Sequence, residues 1–353
     1  MRHMRPRHQW IRALLPAVSA FAIGLTILGL GLALSGYDAV RALTAMWGGA
    51  FGSVDAVVSS LLPRAIPLIV IGLGVGFAFR AGALNIGAEG QFYAGAIAAT
   101  WVGLGVAAWP RVIAVPMVLA TGLIAGVIWV GIPVVLRLRF GVLEVISTLL
   151  LNFVAEAVVS WMVVGPLQES RHVYPQSDPL PIAARLPQLA GTRLHLGGVV
   201  ALALAVALYI FGRRTLAGFQ VRATGANPLA ARVIGGVNTD GVFAAALLFS
   251  GACAGLAGAT EISGTTYALF QNLSPGYGFT AIAVALLARL DPLATILTGL
   301  LFAALESGAS AMQREANVPA VSVFIVEAVI IVVVLLTDVR RRRALASSTV
   351  VEA

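Results

Sequence analysis

Apolar windows long enough to cross a bilayer recur along this chain with scarcely a break between them. A hydrocarbon core ~30 Å thick is spanned by about 20 residues of helix rising ~1.5 Å each. Ten candidate windows can be marked, at 11–35, 54–79, 90–108, 112–136, 142–164, 196–211, 241–262, 278–287, 293–309 and 320–336. Lipid is the solvent such a chain requires: 59% of its residues are hydrophobic and only 11% charged, against about a quarter charged in a soluble domain. The expected fold is an all-α integral membrane protein of about ten transmembrane helices, a single domain over 1–353 with its membrane core at 13–337. The regions 80–90 and 263–290 are candidates for broken or re-entrant helix.

Arginine placement orients the spans, because cytoplasmic loops are enriched in basic residues. With the N-terminus inside, 16 arginines fall on the inner side: Arg2, Arg5, Arg7, Arg12, Arg80, Arg137, Arg139, Arg213, Arg214, Arg222, Arg232, Arg289 and Arg340 to Arg343. Only 6 fall outside, namely Arg41, Arg111, Arg171, Arg185, Arg193 and Arg314, while Arg64 lies within the second window. Both termini are therefore expected in the cytoplasm, which favours an even number of spans. The first apolar run is longer than a signal-peptide core and has no clear small-residue cleavage site after it, so it is expected to be retained. The basic termini read as orientation anchors, and no nucleic-acid partner is expected.

All 23 basic residues are arginine. Without lysine the chain has no Walker A loop and no Schiff base of its own. The single Cys253 excludes an intramolecular disulfide and a multi-cysteine metal site. His3, His8, His172 and His195 all sit in terminal or loop segments. No catalytic residue and no metal site are expected.

Two stretches are not plain membrane helix. Residues 80–91, reading RAGALNIGAEGQ, place Asn85, Glu89 and Gln91 among glycines between two apolar windows. They form either a short cytoplasmic turn or a partly embedded element, and the cost of polar groups at membrane depth favours the second. Residues 213–240 form the largest cytoplasmic loop. Within it, Asn227-Pro228 is a helix-start signal. Leu229, Ala230, Ala231, Val233 and Ile234 then give a short apolar-faced helix ended by Gly235-Gly236. Such a helix suits the groove of a partner protein, or an anionic lipid surface helped by Arg222 and Arg232.

At these residues the chain resembles a known family. GALNIGAEGQFYAGA (82–96) is similar to the signature of permease subunits of bacterial ATP-binding-cassette (ABC) importers for nucleosides and simple sugars, a group related to the branched-chain amino acid permeases. RATGANPLAARVIGG (222–236) resembles that family's cytoplasmic coupling segment, departing at Gly236, where a hydrophobic residue is usual. GYGFTAIAVALLARLDPL (276–293) resembles a third hallmark. The NIGAEGQ form looks closer to the nucleoside branch than to the ribose branch. The resemblance implies a type II importer-like permease of the bacterial inner membrane, moving a nucleoside or related sugar. Its implied partners are a cytoplasmic ABC ATPase, an extracytoplasmic substrate-binding lipoprotein and a second permease, which the family pattern favours as a different chain. ATP and Mg would sit on the ATPase, and this chain would bind no cofactor. By the same resemblance, Asn85, Gly87, Glu89, Gly90 and Gln91 lie beside the translocation path, and Gly225, Asn227, Pro228, Ala230 and Ala231, with Arg222 beside them, couple to the ATPase.

Further residues are read from position alone. Asn152 and Glu156 are four apart on one window and are expected on one helical face, either lining the path or joining helices. Tyr277 and Phe279 are candidate substrate contacts, since aromatic faces stack on nucleobases, or else interface residues. Gly72-x-x-x-Gly76 and Gly251-x-x-x-Gly255 read as helix-packing sites. Arg64 reads as snorkelling to the outer face. The Pro-rich stretch 165–195 is expected to be an extracytoplasmic loop shaped for a binding protein. The alternative function is an ion-gradient-driven secondary carrier using carboxylates such as Glu89 and Glu306.

Overall fold

A computed structural model describes residues 7–333, with side chains from residue 21 onward. Arg2, Arg5 and Arg340 to Arg343, which carry part of the orientation argument, and positions 334–336 of the last window lie outside the described residues. The chain is nearly all helical: α1 Arg7–Leu34, α2 Ala39–Phe51, α3 Leu62–Arg80, α4 Ala88–Gly105, α5 Arg111–Phe140, α6 Glu144–Val164 and α7 Gly197–Arg214. Then come α8 Leu216–Ala226, α9 Pro228–Val233, α10 Thr239–Glu261, α11 Tyr277–Leu287, α12 Pro292–Ala316 and α13 at 323–333.

Each apolar window falls on a helix, but they are not equal. Among the described residues, six helical stretches are long and apolar enough to cross a membrane: Ala56–Arg80, Arg111–Phe140, Glu144–Val164, Gly197–Arg214, Thr239–Thr266 and Pro292–Ala316. The window at 278–287 is different. Its helix α11 has 11 residues, and at ~1.5 Å per residue it reaches only about half-way through the hydrocarbon. Broken helix is present at both expected places, as non-helical backbone at 81–87 and at 267–276. Two helices had no counterpart in the sequence reading: α2, within 36–53, and α8, inside the stretch taken as the loop 213–240.

The described residues pack as two compact units, divided within α12. In the unit 57–303, α10 is the central helix and packs against α3, α4 and α5. It does so on a stripe of small residues. A Cβ on Gly126 of α5 would stand 2.1 Å from the Gly251 carbonyl oxygen, and one on Gly95 of α4 would stand 2.2 Å from that of Gly255. Backbone thus meets backbone, as membrane helices do when dispersion replaces the hydrophobic drive. The packing reading of Gly251 and Gly255 holds. Outward faces of the same unit are apolar, with Ile124, Ile128 and Ile132 on α5 and Val199, Leu202 and Val206 on α7 exposed. A surface of this kind requires lipid.

The other unit joins 7–56 to 304–333. Gly24 of α1 fits against Val326 of α13, and Gly49 of α2 fits against Ala311 of α12. The Asp38 carboxylate caps α2, accepting the Arg41 N–H at 2.9 Å.

Candidate functional site

The non-helical segment 81–87 carries backbone groups with no intrahelical partner, and buried side chains satisfy them. Asn85, fully buried, uses its whole hydrogen-bonding capacity. Its Nδ2 donates to Gln91 Oε1 at 2.8 Å and to Ser250 Oγ of α10 at 2.9 Å. Its Oδ1 accepts from Gln91 Nε2 and from the Gly87 N–H, both at 3.0 Å. Asn152 of α6 works from the other side, accepting the Gly90 N–H at 2.8 Å and donating to the Ile86 carbonyl at 3.0 Å. Thr148, one turn earlier, accepts the Ile86 N–H at 3.3 Å. One network therefore fastens the break between α3 and α4 to α6 and α10.

Glu89, on the first turn of α4 and 2% exposed, reaches a second break. Its carboxylate accepts the Gly278 N–H at 2.6 Å and pairs with the Ser274 hydroxyl. Ser274 Oγ accepts the N–H groups of Gly276 and Tyr277 at 3.1 and 2.9 Å, completing the cap of α11. The N-termini of α4 and α11 abut here, since a Cβ on Gly278 would stand 2.2 Å from the Glu89 nitrogen. A carboxylate at two helix N-termini meets orphan N–H groups and the positive ends of both dipoles. Tyr277 is buried with its ring edge-on to Phe92, whereas Phe279 is 43% exposed. Asn152 and Glu156 do not share an environment: Asn152 is buried in the network and Glu156 is exposed. The 40° by which four residues overshoot a turn is enough to separate them at a helix edge.

The stretch 213–240 is mostly helix. Thr215 caps α8 by accepting the Gly218 N–H at 3.0 Å, and Asn227 caps α9 by accepting the Ala230 N–H at 3.0 Å. Pro228 is the first residue of α9, as the sequence signalled. Ala231 is buried beneath this helix, while Leu229, Val233 and Ile234 are 70, 73 and 87% exposed. Arg232 ties the segment to the start of α10, donating to Thr239 Oγ1 and pairing with Asp240 at 2.8 Å. Backbone contact between this stretch and the end of α3 is made at Gly225. A Cβ there would stand 2.1 Å from the Arg80 carbonyl oxygen, and one on Gly82 (φ +82°) would meet the Gly225 Cα at 3.6 Å. The two motif segments, 145 positions apart from Arg80 to Gly225, touch backbone to backbone. Beside them opens a cleft of about 650 Å³ whose walls include Gly82, Arg137, Glu144, Thr224, Arg232 and Phe243.

Residues 57–334 match the permease component of branched-chain amino acid transport systems. The chain belongs to this permease family. Among its relatives, a glucose ABC transporter permease of Haloferax volcanii is 38% identical over 327 residues, covering 90% of this chain and 84% of its own. A guanosine ABC transporter permease of Bacillus subtilis is 37% identical over 323 residues, covering 90% and 91%. A nucleoside ABC transporter permease of Lactococcus lactis is 27% identical over 331 residues, covering 90% of each.

In this permease the loop between α6 and α7 is ordered by the break before α11. Ser177 N–H donates to the Leu269 carbonyl at 2.8 Å, Leu180 N–H to that of Tyr267 at 2.7 Å, and Leu186 N–H to that of Ser263 at 2.7 Å. The Arg185 guanidinium lies over the Tyr267 ring, 4.5 Å from its centre. His195, 4% exposed, lies against Gly264, and burial pushes its pKa down to about 4. Asp178 accepts the Ser170 N–H at 3.1 Å and lies near His172, which pairs with Gln168 at 3.0 Å. Arg64 lies near Glu261 of α10 with opposite charge, so it has a partner inside the permease that the snorkelling reading lacked. Sequence reasoning missed Thr148, Ser250 and Ser274, which complete the network. A lone hydroxyl in an apolar window carries no signal until its partner, far away in sequence, is known.

Proposed function

We propose that this chain is one of two permeases in an ATP-driven importer of the inner membrane, moving a nucleoside or a related simple sugar into the cytoplasm. The N- and C-termini face the cytoplasm, and so does the coupling stretch 213–240. A cytoplasmic ABC ATPase docks on the exposed apolar face of α9, with Arg222, Gly225, Asn227, Pro228, Ala230 and Ala231 forming and supporting that face. The ordered loop 165–195 faces outward and receives a substrate-binding lipoprotein. The chain itself does no chemistry and binds no cofactor; ATP and Mg belong to the ATPase.

The observation that carries this reading is the seating of Gly225 on the Arg80 carbonyl. A push on α9 is delivered through that contact to 81–87, and from there through Asn85, Asn152 and Glu89 to α6, α10 and α11. The breaks at 81–87 and 267–276 let short elements shift while the long helices stay intact. The path runs beside this network, along the face where Glu156 and Phe279 are exposed, with Tyr277 behind it. The second permease closes the opposite wall. Relatives that carry guanosine, nucleosides or glucose by name support a polar, ring-shaped substrate.

The test is to purify the chain in mild detergent from its native membrane, identify its partners by mass spectrometry, and assay the complex in proteoliposomes. Recovery of a P-loop ATPase and a second permease, with uptake of guanosine or glucose that needs ATP, would support the reading. A chain that returns alone and transports without ATP, in a manner abolished by an uncoupler, would replace it with the secondary carrier.

A further inference from the structure

At the end of the 57–303 unit that carries α8, a cavity of about 520 Å³ is lined by Arg80, Tyr209, Gly212, Arg213, Arg222, Asp291 and Pro292. Three guanidiniums from three helices face one carboxylate. That carboxylate is already engaged, because Asp291 Oδ1 accepts the N–H groups of Leu293 and Ala294 at 3.1 Å each as the cap of α12. Arg80 donates one N–H to the Leu290 carbonyl. Arg213 lies over the Tyr209 ring, its Cζ 4.4 Å from the centre. Among the described residues neither Arg213 nor Arg222 makes a hydrogen bond or an ion pair, so their planar forks are free for an anion.

Behind the charged walls, Arg80, Gly212 and Pro292 meet Leu73, Phe77, Leu208, Val221 and Leu290 in a tightly packed apolar seam between α3, α7, α8 and α12. A basic chamber at the ends of membrane helices, on an apolar floor, matches the phosphate of a lipid headgroup. We propose that this is a binding site for an anionic phospholipid, its phosphodiester held by Arg80, Arg213 and Arg222 and its acyl chains left in the bilayer. The recognised chemistry is a phosphate oxyanion, and the position at the ends of α3 and α7 selects the lipid source over free phosphate. Bound there, the headgroup joins the last turns of α3 and α7 to α8.

The experiment is native mass spectrometry of the purified transporter, equilibrated with phosphatidylcholine bilayers with or without phosphatidylglycerol. Loss of one charge-assisted contact is expected to make Arg213→Gln weaken retention of phosphatidylglycerol about tenfold or more. Its exposed side chain makes the variant safe for folding, which the thermal midpoint checks. Arg214→Gln, one residue on and outside the cavity, is expected to retain the lipid like the parent protein. Inorganic phosphate in excess is expected not to displace it. Equal retention of the two lipids, equal losses in the two variants, or displacement by inorganic phosphate would overturn the proposal.

Discussion

At the scale of single residues, this protein places its polar side chains where the helix is interrupted. Asn85 is the clearest case, since each of its four hydrogen-bonding positions is engaged and it is fully buried. Replacing it by leucine keeps the bulk but strands both ends of the Gln91 amide, the Ser250 hydroxyl and the Gly87 N–H. Each stranded group costs about 1–3 kcal/mol. Asn85→Leu is therefore expected to lower the thermal midpoint in detergent by several degrees, whereas Asn85→Ala is expected to do so less if water fills the gap. His195 gives a pH signature. Its folded pKa of about 4 lies below the ordinary 6.5, so the unfolded chain binds the proton more readily. Its contribution to stability is full above 6.5, falls as pH drops through that window, and has gone near 4. The loss per pH unit is at most about 1.4 kcal/mol. The drop in melting temperature between neutral and mildly acid buffer is expected to shrink in His195→Gln. A drop of unchanged size would assign the acid sensitivity to other groups.

At the scale of elements, the sequence was informative where one rule acted alone. Apolar length located the long helices, and Asn227-Pro228 marked the start of α9 to the residue. It was silent where two segments decide each other. Whether 278–287 crosses or stops half-way depends on Glu89 and Ser274 capping α11, and Gly278 lies 189 positions from Glu89. The same holds for Asn85 and Ser250, 165 positions apart. Helix α8 escaped notice because its buried residues, Gly218, Val221 and Thr224, make no apolar stripe. Helix α9 carries its own expectation. Changing Leu229, Val233 and Ile234 to serine removes apolar surface that lies exposed among the described residues. Stability is expected to hold or rise slightly, while the ATPase is lost from the purified complex. An ATPase that remains bound would move the docking site elsewhere on the inner face.

At the scale of the whole molecule, the sequence fold class is realised, but two short pieces of irregular backbone matter more than the count of spans. Sidedness can be read directly because Cys253 is buried and gives no background. Ile234→Cys is expected to react with an impermeant maleimide only from the cytoplasmic side, and Tyr174→Cys only from outside. Labelling of both from one side would contradict the orientation drawn from the arginines. The central claim is that the seat of Gly225 on Arg80 passes the stroke of the ATPase to the buried network. Gly225→Val tests it, because the added carbons cannot fit against that carbonyl and overpacking of this kind typically costs about 1–3 kcal/mol. The decisive quantity is substrate taken up per ATP hydrolysed by the reconstituted complex. The variant is expected to keep its ATPase and to hydrolyse ATP while uptake per ATP falls about tenfold or more. An unchanged ratio in a folded, fully assembled variant would contradict the account.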